Sequence, residues 1–343
     1  MKTLLKSVLP HGKTFQLIGI NIVIFLIFAT LVPSRFPTIS NFRSMGFQLS
    51  EVGFFTLAIA LAMLTGGINL SVVAAGNLSA TLIGFYLLKY VSQTASWVEV
   101  APYFLVSVVI AVLIGIVCGC LNGFLVAYLK IPPILATLGS QNVFNGICMV
   151  LTGGTGVYGQ FPASFTFIGS GIIFGFVPFP MFLFIIALVV FFVIIHRTPH
   201  GFKTQSFGSN NRVSFFSGIN NVKTVFITYV LSTLIGALTG ILVLARTSTA
   251  KYDYGVAFVL QALLVSNLAG IAGGKGNILN ILLSMFAIQM VDSGFNYLRI
   301  NSYVRAATYG ILLIFSIVLE HSIRQYRQRK EVKRATLAAN AAN

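Results

Sequence analysis

Six acids, four histidines and three cysteines are the side chains with which this 343-residue chain could hold a metal. The acids are Glu51, Glu99, Asp253, Asp292, Glu320 and Glu331, and no two of them stand at helical spacing within one apolar run. No H-E-x-x-H, G-x-S-x-G or C-x-x-C is present. Cys118 and Cys120 are two apart and so fall on different faces of a helix, while Cys148 sits alone in another apolar run. Gly273-Gly274-Lys275-Gly276 falls short of a phosphate loop. Ala269 holds the place of the first glycine, and Gly276 the place of the Ser or Thr that would reach magnesium. Catalysis, nucleotide hydrolysis and a resident metal or cofactor are therefore not expected of this chain.

What remains is uncharged polarity inside apolar runs. Asn142 and Asn145 are three apart on one face, and Gln289, Asp292 and Asn296 share another. Asn69 precedes an apolar run, and Gln261, Ser266 and Asn267 lie in a further one. An amide in hydrocarbon must find a partner, either on a neighbouring helix or in a water-lined path. Amides both donate and accept, which suits a neutral hydroxyl-rich solute. An ion or proton path calls for more buried acids or histidines. Asn69, Asn142, Asn145, Asn267 and Gln289 are the expected solute-path residues. Two glycine-rich breaks, at Gly66-Gly67 and from Gly270 to Asn277, are either plain turns or irregular backbone that lines a cavity.

The elements that must carry these residues are membrane helices. The chain is 57% hydrophobic and 8% charged, with a mean hydropathy of +0.92, where a soluble domain carries about a quarter charged residues. The apolar runs are continuous rather than alternating, which selects helices over a β-barrel. The expected fold is all-α and polytopic. About ten transmembrane helices are expected, near 15–32, 48–65, 71–91, 102–128, 134–152, 178–196, 222–245, 256–271, 278–298 and 303–321. They form one domain over 1–321, followed by a basic tail over 322–343 that is expected to be frayed. Gly115, Gly119 and Gly123, and likewise Ser232, Gly236 and Gly240, recur at four-residue spacing and predict close helix packing.

The formal charge of +16 does not point to nucleic acid, because the cations sit at chain ends and in connections rather than on one soluble face. With an even number of spans and both termini cytoplasmic, about two-thirds of the 22 Lys and Arg fall inside. The longest polar interruption, 197–221, is then cytoplasmic. It is basic, yet it carries Phe202, Phe207, Phe215 and Phe216. Such a segment is a docking surface for a partner or an amphipathic helix lying on the lipid.

This segment resembles a known family. Arg197-Thr198-Pro199-His200-Gly201, followed by Gly208-Ser209-Asn210-Asn211-Arg212 and Gly218-Ile219, is similar to the cytoplasmic loop of the ribose-type sugar permeases of ABC importers. Gly201, Gly208, Asn210, Gly218 and Ile219 match that pattern position by position. Gly66 to Val72, Ala136 to Gly139, Thr152 to Gly154 and Gly273 to Gly276 match further family motifs in the same order. The chain departs from the family at Asn69, where Asp is usual, at Val73, where Gly is usual, and at Val265-Ser266-Asn267-Leu268, where small residues are usual. The resemblance implies a type II importer-like permease fold in a bacterial cytoplasmic membrane. It implies an ATP-binding subunit docked on the loop through Gly201, Phe207, Gly208, Asn210, Arg212 and Gly218. It further implies a second permease subunit, identical or sister, and a periplasmic or lipid-anchored solute-binding protein. Two other readings stay open at this point, a stand-alone facilitator and a subunit of a heterodimer that touches no solute.

Overall fold

The computed structural model describes residues 12–301, 303–318 and 322; the basic tail, Ser322 apart, lies outside the described residues. All ten predicted spans fall on apolar helices. Eight are long enough to cross a bilayer: α1 Gly12–Leu31, α2 Ile39–Leu64, α3 Val72–Tyr90, α4 Trp97–Gly123, α5 Pro133–Thr152, α7 Phe179–Arg197, α10 Asn221–Thr247 and α12 Ile278–Tyr297. α4 runs on through a π-helical turn, Phe124–Tyr128. Two shorter apolar helices, α11 Val256–Leu268 and α13 Tyr303–Val318, complete the set. Between α5 and α7 lies a short helix, α6 Ala163–Ser170. The segment from 197 to 221 is itself folded, as α8 Pro199–Ser209 and α9 Asn211–Phe216.

Helix starts follow local capping chemistry. α2 begins nine residues ahead of the sequence expectation because the Thr38 hydroxyl accepts from the Asn41 backbone and nucleates a helix in a polar stretch. α4 begins at a capping box, in which the Glu99 carboxylate accepts from the Ser96 backbone at 2.7 Å. α8 combines a Thr198 cap with Pro199 in its first turn, where the missing N–H costs nothing. Two two-stranded pairings escaped the hydropathy pattern: Val157–Tyr158 with Thr249–Ala250, and Ile172–Ile173 with Val177–Pro178. Strands of two residues are too short to leave an alternating signature.

α10 is the axis of the bundle, packed by α4, α3, α2 and α6. Both small-residue stripes serve this packing, against different neighbours. Gly115, Gly119 and Gly123 of α4 lie on Leu234, Val230 and Phe226 of α10, and a Cβ at Gly115 or Gly119 would stand 2.7 Å from α10 backbone. Gly236 and Gly240 of α10 meet the backbone of Val72 and Gly76 in α3. Lipid supplies no hydrophobic drive between helices, so approach this close is what holds them together. α1, α5 and α7 expose broad apolar faces, and α2, α3 and α10 form the buried interior.

Candidate functional site

The five expected path amides do not converge on one place. Asn69 is fully buried at the α2–α3 break. Its Nδ2 donates to Ser232 Oγ and Thr233 Oγ1, each at 3.0 Å, and its Oδ1 accepts from the backbone and hydroxyl of Ser71. Asn122 joins this cluster by donating to Ser71 Oγ at 2.7 Å, and its own Oδ1 is left buried with no partner. Asn122 is not among the expected path residues. Its sequence signal, an amide within an apolar run, is the same as that of Asn142.

Asn142 and Asn145 lie on α5, near its open face. Asn142 is exposed, Asn145 is half-buried with an unpartnered Oδ1, and Gly139 and Gly146 have open space beside them. Asn267 and Gln289 lie elsewhere, among α2 and α11 to α13. Gln289 donates to Gln48 Oε1 at 2.8 Å, and Asn267 reaches Ser316 Oγ of α13 at 3.5 Å.

The acids within the spans are paired. Asp292 accepts from Arg305 at 3.2 Å and from the Tyr309 hydroxyl at 2.6 Å, so it is held between α12 and α13 rather than solvated. Glu51, 1% exposed, forms an ion pair with Arg246, which also donates to the Phe47 carbonyl and so ties α2 to the end of α10. Beside this pair, burial and the Glu51 carboxylate hold the Tyr254 phenol well above its ordinary range. Each of these acids, paired with an arginine, ties two helices together.

At the opposite end of α2 the α8–α9 pair is seated. Gly201 packs on the carbonyls of Ile194 and Ile195, leaving no room for a side chain. Gly208 is wedged between the Leu64 carbonyl and the backbone of Gly273 and Gly274. Those glycines are in turn hydrogen-bonded to the end of α2, Gly273 to Met63 at 3.2 Å and Gly274 to Leu64 at 2.8 Å. The second glycine break and the α8–α9 segment are thus one joint, at which α2, α8 and the α11–α12 turn meet. Positive φ at Gly273 (50°) and Gly274 (77°) makes the turn possible. Asn210 caps α9 through the backbone of Arg212 and Val213, Arg212 is exposed, and Gly218 turns the chain toward α10 at φ 77°. Phe202, Phe215 and Phe216 stand exposed at 69%, 66% and 86%. His200 faces Thr228 of α10 at 3.2 Å, and burial, together with Lys203, keeps its imidazole below the usual range. No group of residues that could hold a metal ion is present among the described residues.

Apolar helices long enough to cross a membrane, packed on small-residue contacts and seating a folded aromatic segment at one end, define a polytopic membrane bundle. The chain belongs to the family described as branched-chain amino acid transport system / permease component, which residues 45–317 match. Among its relatives are two proteins named autoinducer 2 import system permease protein LsrD. One, from Yersinia pestis (strain Pestoides F), is 26% identical over 83% of this chain and 86% of the relative. The other, from Yersinia pseudotuberculosis serotype O:1b (strain IP 31758), is 27% identical over the same shares. No solved structure matches the chain.

Proposed function

We propose that the chain is the permease subunit of an ATP-driven importer for a sugar or sugar-like solute, set in a bacterial cytoplasmic membrane with both termini and the α8–α9 end on the cytoplasmic side. The observation that carries this reading is the α8–α9 joint. It presents exposed phenylalanines on a basic segment, as a docking surface would, and its Gly208 abuts two membrane elements, as a transmission would. Its partners are a separate ATP-binding subunit seated on Gly201 to Gly218, a second permease subunit, and a solute-binding protein on the opposite side. The names of the relatives, autoinducer 2 import system permease proteins, support the import of a small solute. The solute path runs past the open face of α5, where Asn142 and Asn145 offer amides.

A second reading has its own support. Asn69 spends its amide within the bundle, and Asn267 and Gln289 find partners on neighbouring helices. A sister permease carrying the solute contacts would suit that pattern.

Reconstitution tests both. The chain, assembled with its ATP-binding and solute-binding partners in proteoliposomes, takes up radiolabelled D-ribose or autoinducer 2 only with ATP. Uptake by the chain without ATP would identify a facilitator instead. In the complex, Asn142→Leu lowers uptake while leaving assembly with the ATP-binding subunit intact. Unchanged uptake would assign the contacts to the sister subunit.

A further inference from the structure

The two glycine breaks have different surroundings. The second is packed under α8. The first, Thr65 to Gly67, lies level with Tyr229, eight residues and so about 12 Å into α10. Irregular backbone at that depth is tolerated where protein buries it or where it lines a cavity. Gly66 and Gly67 line an open cavity of about 550 Å³, bounded by α8, α9, the start of α10 and the 130–133 connection. The volume falls in the range of small-molecule sites. The π-helical turn that ends α4 contributes Val126 and Ala127 to the same wall, and such turns recur at functional sites.

Tyr229 also lines this cavity. Its side chain has no exposed surface, and its hydroxyl has no hydrogen-bond partner. The hydroxyl lies against Gly67, where a Cβ would overlap it. A buried phenol without a partner costs about 1–3 kcal/mol, and a small shift of the Gly67 backbone that covers the hydroxyl would let a ligand hydroxyl in the cavity satisfy it. Phe207 and Phe215 supply aromatic surface, while Asn211 and Lys130 place an amide and an ammonium on the walls. No acid among the described residues lines the cavity. Aromatic faces beside a few hydrogen-bonding groups match a neutral ring compound with apolar faces and hydroxyl edges.

We infer that this cavity is a solute station on the α8–α9 side of the membrane, where a neutral hydroxylated solute of about pentose size pairs one hydroxyl with Tyr229 and lays a ring face on Phe207. The inference rests on the importer reading. It also gives α8 a second task. Phe207 precedes Gly208, the residue wedged against α2, so a shift of α8 moves a wall of the station.

The test uses the full transporter in inside-out vesicles. Cys118, Cys120 and Cys148 are replaced by Ala, and Val222→Cys, on the cavity wall, is the reporter. Uptake by the wild-type complex from a panel of labelled pentoses, hexoses and autoinducer 2 selects the probe. A charged, water-soluble maleimide labels the reporter, and the imported probe slows labelling about fivefold. Adding Tyr229→Phe, which keeps the ring and removes only the hydroxyl, raises the probe concentration needed for protection about five- to tenfold, as loss of one hydrogen bond requires. Phe207→Ala weakens protection in the same direction. Labelling by a lipid-soluble maleimide alone would make the cavity a lipid cleft, and labelling that an imported probe leaves unchanged would equally overturn the station. A complex that imports no member of the panel removes the importer reading and the station with it.

Discussion

At Asn69 one atom decides the residue. The hydroxyls of Ser232 and Thr233 spend their own protons on backbone carbonyls, Ser232 on Ala58 at 2.7 Å and Thr233 on Tyr229 at 2.9 Å. They therefore turn lone pairs toward residue 69, and the Asn69 NH₂ is the group that answers them. A carboxylate there would meet acceptors with an acceptor. This accounts for the absence of the aspartate usual in the resembling permeases. Asn69→Asp should destabilise the protein by about 1–3 kcal/mol, the cost of a buried polar group facing the wrong partner. Thermal unfolding in detergent measures it, and a variant as stable as the parent would show that the hydroxyls reorient freely. The sequence marked Asn69 as polar within an apolar setting. It could not say whether the amide would be spent on helices or held for solute, because that depends on where two hydroxyls from α10 point.

At the scale of elements, the joint of α2, α8 and the α11–α12 turn is the feature with the clearest consequence. Gly208→Val drives a branched side chain into the Leu64 carbonyl and the Gly274 backbone and lifts α8 from its seat. The assembled transporter should then hydrolyse ATP without stimulation by solute, and uptake should be lost. Asn210→Ser keeps a capping oxygen for α9 and should leave stimulation near the parent level, because the two caps differ by only a few tenths of a kcal/mol. ATP hydrolysis measured with and without loaded binding protein separates the two variants. Full stimulation in Gly208→Val would show that force reaches the bundle by another route. The motif around Gly208 was visible in the sequence, and so was the late glycine turn. Their contact joins positions some 65 residues apart, and no local pattern encodes it.

The proposed topology, with both termini on one side, requires an even count of crossings. α11, at 13 residues, rises only about 20 Å, less than a hydrocarbon core of about 30 Å. It is nonetheless held among α2, α12 and α3. A short helix buried by its neighbours need not match the bilayer by itself, because the irregular backbone that completes its crossing is covered by protein. Reporter fusions at the N-terminus and after residue 321 should therefore read the same side of the membrane, and a fusion in the 252–255 connection the other. Opposite readings at the two ends would show that α11 or α13 does not cross.

Composition alone settled that this chain lives in lipid, since too few charges exist to cover a water-facing surface. Hydropathy located the spans, and the spacing of small residues marked which faces pack, because both signals repeat along a single helix and need no knowledge of its neighbours. Only the tertiary structure decided what each polar residue does. It spent Asn69 within the bundle, tied Glu51 and Asp292 to arginines, joined the late glycine turn to α8 and left the Tyr229 hydroxyl without a partner behind Gly67 at the edge of a cavity. The physical reason is that a hydrogen bond is made or left open by groups brought together from distant parts of the chain, whereas the cost of placing a residue in lipid belongs to that residue alone.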